Sequence, residues 1–336
     1  MGSEPAASAL WRLIDGFKIS QAIHAAAALG IADRIAAGAR ASDEIADAVG
    51  ADRGAVYRLL RALAAHGVLR EDEGGRFSLT PMGECLRSDA DPSLSPYAVL
   101  IGQPYYWQAW GHLLHAVKSG ENAFRSLYGV TNWTYRQQHP DQNAIFNAAM
   151  TANSRRVNRA IVEACDFSRF PRVADVGGGE GSLLAAVLTA CPAARGVLFD
   201  RPHVVASAAP VLAAASVAER CEIVGGDFFE DIPGGCDAYI MKFVLHDWDD
   251  TDADRILQRC RQGMPREGRL FIIERIIGPP GHDPAAARSD LNMLVIPGGR
   301  ERTRSEFEAL LGRAAIGLAD VVPTDAGVSI LVGAPA

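Results

Sequence analysis

The stretch VADVGGGEGSLL, residues 173–184, decides how the chain is read. An apolar strand ends at Asp175, Gly177, Gly179 and Gly181 then alternate with other residues, and a helical run follows. Glycines at such a junction let the backbone turn sharply and approach a ligand where any Cβ would clash. Ser182 stands where the third glycine of the dinucleotide pattern G-x-G-x-x-G would fall, so the spacing is G-x-G-x-G instead.

Outward from this loop, short apolar runs at 197–199, 223–224, 239–244 and 270–273 alternate with helical stretches at 183–190, 204–215 and 253–264. A further helix is expected from Thr303, which matches a capping box with Glu306. Strands alternating with helices predict an α/β, Rossmann-like, doubly wound parallel sheet covered on both faces. Such sheets bind ligands beyond the carboxyl ends of their strands.

Acidic residues mark those ends. Asp175 closes the first strand, Asp200 the second in GVLFD, and Asp227 follows the third in VGGDFF. The alternating glycine form is the one associated with S-adenosylmethionine, which carries an amino acid in place of a pyrophosphate. A carboxylate at Asp200 can accept both ribose hydroxyls. Asp227 suits the adenine amino group, with Phe228 against the ring. Each acid alone reads equally well as a helix cap; three in register around one glycine loop read as a cofactor site.

After the fourth strand comes MKFVLHDWDD, which places His246 where an acceptor would meet a transferred methyl group. Moving a methyl group to an alcohol or phenol requires loss of the hydroxyl proton, work suited to histidine. A base also needs one tautomer and one orientation, which a neighbouring carboxylate supplies. Glu274, ending the fifth strand in LFIIE, and Glu301, in GGRERT, are the candidates. His246, Asp247, Asp249 and Asp250 also suggest a divalent cation. Asp249 and Asp250 precede Thr251 and a helix, however, and read better as its N-terminal cap and charge, so no metal is expected.

The first half follows a different grammar. In ASDEIADAVG, Ser42 is the expected cap of a helix stopped by Gly50. Asp52 caps a second helix whose apolar residues Val56, Leu59, Leu60 and Leu63 keep helical spacing. Two short strands, 68–69 and 77–79, join through Gly74-Gly75, and Pro81 opens another helix after Thr80. This helix, helix and two-stranded wing form a winged-helix pattern. Arg53, Arg58 and Arg61 on the second helix admit a ligand-responsive DNA-binding regulator as an alternative. The wing begins Arg70-Glu71-Asp72-Glu73, though, and acids there repel phosphate. The apolar opening, 9–29, suits a helix buried against a partner subunit.

The whole chain of 336 residues carries a net charge of -7, with 49% apolar and 22% charged residues. This balance is opposite to that of most nucleic-acid or anionic-membrane binders. No basic n-region with an apolar core opens the chain, so no signal peptide is expected. The six cysteines are scattered without a C-x-x-C pair, as in a reduced, cytoplasmic protein.

These features together resemble the O-methyltransferase family that includes plant caffeate and flavonoid enzymes, animal hydroxyindole enzymes and bacterial antibiotic-tailoring enzymes. The likeness covers nearly the whole chain. It rests on the winged-helix half and on FNAAMTANS, DVGGGEG, LFDRPHVV, GGDFFEDIP, MKFVLHDWDD and DLNMLVIPGGRERTRSEFEALL, in matching order. The resemblance implies a homodimer whose N-terminal domains interlock and close over the acceptor. It implies cofactor contacts from Ser154, Gly177, Asp200, Asp227, Phe228 and Lys242. His246 would be the general base beside Glu274 and Glu301, with Phe146, Met150, Asp247, Asn292 and Met293 lining the acceptor pocket. Two departures stand out. Glu180 occupies a loop position where the family usually has a small or neutral residue. DLNMLVIPGG is one residue shorter than in the plant enzymes, as in the bacterial branch.

The expectation is therefore an S-adenosylmethionine-dependent O-methyltransferase of secondary metabolism, acting on a hydroxyl of a small aromatic or polyketide-like acceptor. Residues 1–168 would form the dimerisation and acceptor-binding domain, and 169–336 the methyltransferase domain. C- or N-methylation, or non-methylating chemistry with the same cofactor, is the nearest alternative. A nicotinamide dehydrogenase is disfavoured by the glycine spacing.

Overall fold

The computed structural model describes residues 5–279 and 281–336. The chain divides into two compact units, one of Met1–Gln108 with His139–Asn153, the other of Ala109–Gln138 with Ser154–Ala336.

In the first unit, helices Ala6–Ala28, Ile31–Ala36, Ser42–Val49 and Arg53–Ala65 precede strands β1 (Leu69–Glu71) and β2 (Phe77–Leu79). The strands pair antiparallel, with Leu69 opposite Leu79, so the winged-helix pattern is realised. Asp72 holds the wing turn by accepting from the N–H groups of Gly74 and Arg76, both at 2.9 Å. Asp52 caps the second helix as expected, accepting from Ala55 N–H at 2.8 Å. Ser42 is not the cap of the preceding one. The helix begins at Ser42, and Glu44 reaches back to the N–H groups of Arg40 and Ala41, both at 2.9 Å. A three-carbon side chain spans what a serine at the first helical position cannot. Ile31, Ile35, Ile45, Leu60, Leu63 and Phe77 form this unit's core. Arg53 is engaged by Asp47 at 3.0 and 2.7 Å, so an acid of its own unit already meets its charge.

The second unit is built on a seven-stranded sheet. Its strands are β3 (Arg172–Val176), β4 (Arg195–Asp200), β5 (Cys221–Gly225), β6 (Ala238–Lys242), β7 (Arg269–Glu274), β10 (Ile316–Pro323) and β11 (Ser329–Pro335). The spatial order is β10-β11-β7-β6-β3-β4-β5. A separate parallel pair joins β8 (Ile276–Ile277) to β9 (Arg302–Thr303). Strands β3 to β7 pair in parallel, and alternate residues feed two cores. Leu198, Ile240 and Ile273 pack on one face, while Phe199, Met241 and Ile272 pack on the other. Both faces are thus covered, which is why the strands read as continuous apolar runs.

The expected sheet is present with three local corrections. It is mixed rather than wholly parallel, because β11 runs antiparallel to both β7 and β10. The helix expected over 204–215 is two short ones, Pro202–Val205 and Ala209–Ala214. The strand expected over 239–244 stops at Lys242, because Phe243 adopts a left-handed backbone with φ 55°. A bulky residue there is strained. It turns the chain out of the sheet into the 3-10 turn Leu245–Asp247.

Candidate active site

The glycine loop leaves β3 with Gly177 and Gly179 in left-handed backbone, at φ 71° and 60°. A Cβ on Gly177 would stand 2.7 Å from Val244 Cγ2, whereas one on Gly179 would meet nothing within 4 Å. The first glycine therefore lets the loop sit against the strand β6 exit, and the second leaves the backbone open to a ligand. Asp200 crosses from the next strand end. Its Oδ2 accepts from Gly179 N–H at 2.8 Å and its Oδ1 from Arg201 N–H at 2.7 Å. Burial raises its pKa, although both backbone donors oppose that shift.

Beneath the loop lies Asp175, 1% exposed, whose Oδ2 has no hydrogen-bond partner among the described residues. Burial raises its pKa to about 6, against the pull of Lys242. Lys242, at the end of β6, is itself lowered by burial to about 8. Its Nζ donates to Ser154 Oγ at 2.9 Å and to Asn158 Oδ1 at 2.7 Å. Asn158 in turn donates to Ser182 Oγ at 3.1 Å, tying Lys242 to the first residue of the helix after the glycine loop. Asn158 completes this group, although no local sequence signal marks it.

Asp227 lies half-buried beyond β5, its Oδ1 accepting from Phe229 N–H at 3.0 Å. Its Oδ2 pairs with Arg201 at 2.9 Å, a cation the sequence reading had not singled out. Phe228 meets the edges of Phe229 and Trp248, with ring centroids at 5.0 and 5.8 Å.

The 3-10 turn after β6 carries His246. Its Nδ1 lies 3.2 Å from Glu301 Oε1 and 3.3 Å from Glu274 Oε2, and both glutamates are fully buried. Phe243 stacks on the imidazole at 5.4 Å. Asp247 Oδ1 stands 3.7 Å from Nε2, on the other side of the ring. Burial pulls the histidine pKa down, but Glu274, Asp247 and Glu301 more than reverse this and raise it to about 10. Glu274 is raised to about 7 by burial. In Glu301 burial pushes the pKa up, but the hydrogen bond and charge of His246, the Ser289 hydrogen bond and the Arg275 charge together lower it. Glu301 is held further by Ser289 Oγ, which donates at 2.6 Å, and by Asp290, which accepts from its backbone N–H at 2.9 Å. The ligand atoms of His246, Glu274 and Glu301 lie within 4.8 Å of one another, a spacing that a cation can bridge.

Asp249 and Asp250 are engaged elsewhere. Asp249 caps the following helix through Thr251 and Asp252 N–H, each at 2.9 Å, and Asp250 pairs with Arg302 at 2.8 Å. Asp247 is raised to about 6 by burial, with His246 and Arg136 pulling the other way. Asn292 accepts from Trp110 Nε1 at 3.2 Å on the helix Pro284–Val295, and the next residue, Met293, is buried. Phe146 and Met150 belong to the first unit, half-buried and one turn apart on the helix Pro140–Ala164.

The second unit therefore brings together two groups of sequence-predicted residues. Asp175, Gly177, Gly179, Asp200, Lys242 and Ser154 surround the glycine loop; His246, Asp247, Glu274 and Glu301 surround the turn after β6. An orphaned buried carboxylate oxygen, an open left-handed glycine and a buried ammonium suit a ligand bearing ribose hydroxyls and an amino acid, as S-adenosylmethionine does.

Comparison with known proteins agrees with that chemistry. Residues 110–316 match the O-methyltransferase domain, and residues 11–89 match the O-methyltransferase dimerisation domain. The chain is 41% identical over 335 residues to the phenazine O-methyltransferase of Lysobacter antibioticus, covering 99% of this chain and 98% of that one. It is 39% identical over 322 residues to the 8-amino-8-demethylriboflavin N,N-dimethyltransferase of Streptomyces davaonensis, covering 95% and 92%. A crystal structure of an O-methyltransferase from neocarzinostatin biosynthesis, in complex with S-adenosylmethionine and 2-hydroxy-5-methyl naphthoic acid, superposes with a TM-score of 0.83. That protein is 32% identical, with 95% of this chain and 96% of that one covered. The glycine loop, the acids at the strand ends and the matched domains converge on one assignment: the chain belongs to the S-adenosylmethionine-dependent O-methyltransferase family.

Proposed function

We propose that this protein transfers a methyl group from S-adenosylmethionine to a hydroxyl oxygen of a small aromatic or polyketide-like secondary metabolite, with His246 as the general base. The observation that carries the reading is the position of His246, on a strained turn, with Nδ1 held between Glu274 and Glu301. That arrangement presents Nε2 to an acceptor. The cofactor supplies an electrophilic methyl group on a sulfonium. Asp200 takes the ribose hydroxyls and Asp227 with Phe228 the adenine. Ser154 and Lys242 take the methionine end, with Asp175, Gly177 and Gly179 lining the loop. Asp247, Asn292 and Met293 contact the acceptor.

In the transfer, the acceptor O–H proton passes to Nε2, a new O–C bond forms, and the sulfur–methyl bond breaks to leave a neutral thioether. A free phenol has a pKa near 10. Neutral His246, raised to about 10, accepts that proton with little penalty. Glu274 and Glu301 stabilise the imidazolium that results. Residues 1–168 serve dimerisation and acceptor binding, and 169–336 the chemistry, in a cytoplasmic homodimer. Among the described residues no helix is long and apolar enough to cross a membrane.

One observation favours a second reading, methylation of an aromatic amine. The carboxylates hold His246 protonated at neutral pH, and an amine lone pair attacks without first losing a proton. Incubation with S-adenosylmethionine carrying a deuterated methyl group and a host metabolite extract, followed by mass spectrometry, separates the two. Fragmentation locating the label on oxygen is expected. His246→Ala is expected to lower transfer by about 10²–10⁴-fold while cofactor affinity holds. Label on nitrogen selects the second reading, and full activity of His246→Ala removes the base.

A further inference from the structure

The turn that carries His246 has little regular structure of its own, and a distant segment satisfies its carbonyl groups. Arg302 is 0% exposed and heads the fully buried side chains by volume. Its guanidinium donates to Leu245 O at 2.8 Å and to Trp248 O at 2.9 Å, carbonyls that bracket His246 in the chain. Its Nε donates to Asp250 Oδ1 at 2.9 Å, reaching the first turn of the next helix. Arg300 N–H donates to His246 O at 2.9 Å. Gly299 lies so close that a Cβ would stand 2.0 Å from that same oxygen. The pairing of Ile276 with Arg302 sets the register of the whole group. Glu274 lies two residues before Ile276 and Glu301 one before Arg302, so that pairing delivers both carboxylates to one imidazole.

A rigid guanidinium fork with donors in several directions suits this task, because it joins both ends of the turn and the following helix at once. We propose that Arg302 is a positioning residue for methyl transfer, acting through His246 by fixing the turn on which the imidazole is mounted. Resting on His246 as base, the inference predicts an effect confined to the chemical step. A lysine keeps the charge but presents a single nitrogen, so it cannot hold all three acceptors in one geometry.

The test is a double-mutant cycle with Arg302→Lys and His246→Gln on the full-length enzyme, reading kcat, KM and the dissociation constant for S-adenosylmethionine. Arg302→Lys is expected to lower kcat by roughly ten- to a hundredfold, the scale of a misplacement of about 1 Å. KM and cofactor affinity are expected to stay within about threefold, since they depend on groups the guanidinium does not touch. In the His246→Gln background the same substitution is expected to add no further loss. Unchanged kcat in Arg302→Lys overturns the proposal, and so does an equal loss in both backgrounds, which marks a merely structural role. Wild-type kcat in His246→Gln alone overturns the base instead, a separate outcome. Should Arg302→Lys not fold, Asp250→Asn repeats the cycle, since it loosens the guanidinium at its half-exposed end. A kcat loss of about three- to tenfold that vanishes beside His246→Gln then supports the proposal, and no loss or a loss in both backgrounds overturns it.

Discussion

Burial pulls the pKa of both His246 and Lys242 downward, yet the two end on opposite sides of their ordinary values because their neighbours differ. Three carboxylates surround His246 and raise it to about 10, while Asp175 only partly offsets the burial of Lys242, left at about 8. Both lose a proton as pH rises, with opposite consequences for function. If neutral His246 is the active form, kcat/KM for the acceptor at saturating cofactor rises with pH, by nearly tenfold per unit from about pH 7 to about pH 9. The ammonium of Lys242 loses its proton through the same window, so cofactor dissociation constants rise above about pH 8. Stopped assays and calorimetry across that range check both slopes. A rate profile already flat above about pH 7 contradicts the first, and pH-independent affinity the second. Sequence pointed to His246 and Glu274 because they follow and end a strand, and to Glu301 through the segment GGRERT. It could not reveal that Asp247 adds to their field, because that depends on which way the turn after β6 folds.

At the scale of elements, the glycine loop and the base-bearing turn share a contact. Gly177 packs on Val244, which directly precedes the 3-10 turn, so the two halves of the candidate site are adjusted together. Gly177→Ala and Gly179→Ala impose similar left-handed strain, about 1–2 kcal/mol each, since φ is 71° and 60°. They differ in what the new methyl group meets. Gly177→Ala pushes on Val244 at 2.7 Å and is expected to lower both Tm and kcat. Gly179→Ala meets only open space, so its Tm falls by a few degrees while cofactor affinity falls by roughly tenfold or more, if the ligand backs onto that glycine. Thermal melts paired with calorimetry decide, and intact affinity in Gly179→Ala removes the glycine from the ligand's path. Alternating glycines were legible because their conformation is local. Val244, the partner of Gly177, was not, since a contact of 67 residues' separation depends on how β3 and β6 pair.

For the whole molecule, the opening helix Ala6–Ala28 leaves an unusual surface. Leu10, Trp11, Leu13, Ile14 and Phe17 are each more than half exposed, with Leu13 at 79%. A contiguous apolar face of that kind marks an interaction site. Residues 11–89 match a dimerisation domain, and the helix begins that segment. A homodimer that covers this face is expected, with light scattering giving twice the monomer mass. Trp11→Glu with Leu13→Glu is expected to give monomers, because a dimer would bury both charges without partners. A dimer of undiminished stability in that double variant places the interface elsewhere.

Sequence by itself determined the features that local backbone chemistry controls. These are the glycine loop, the acids at successive strand ends, the caps at Asp52, Thr80, Asp249 and Thr303, and the change from helical to alternating grammar near Phe170. Each needs only a few neighbouring residues, whose φ values and periodicity are written in order. Tertiary structure alone decided the rest. The β10–β11 hairpin escaped notice because its exposed edge strand lacks clean alternation and its place is set by pairing with β7. Lys242 meets Asn158 across 84 residues, and Arg302 meets Leu245 across 57. Such side chains find one another only after the sheet has set its register, so no local pattern encodes their meeting.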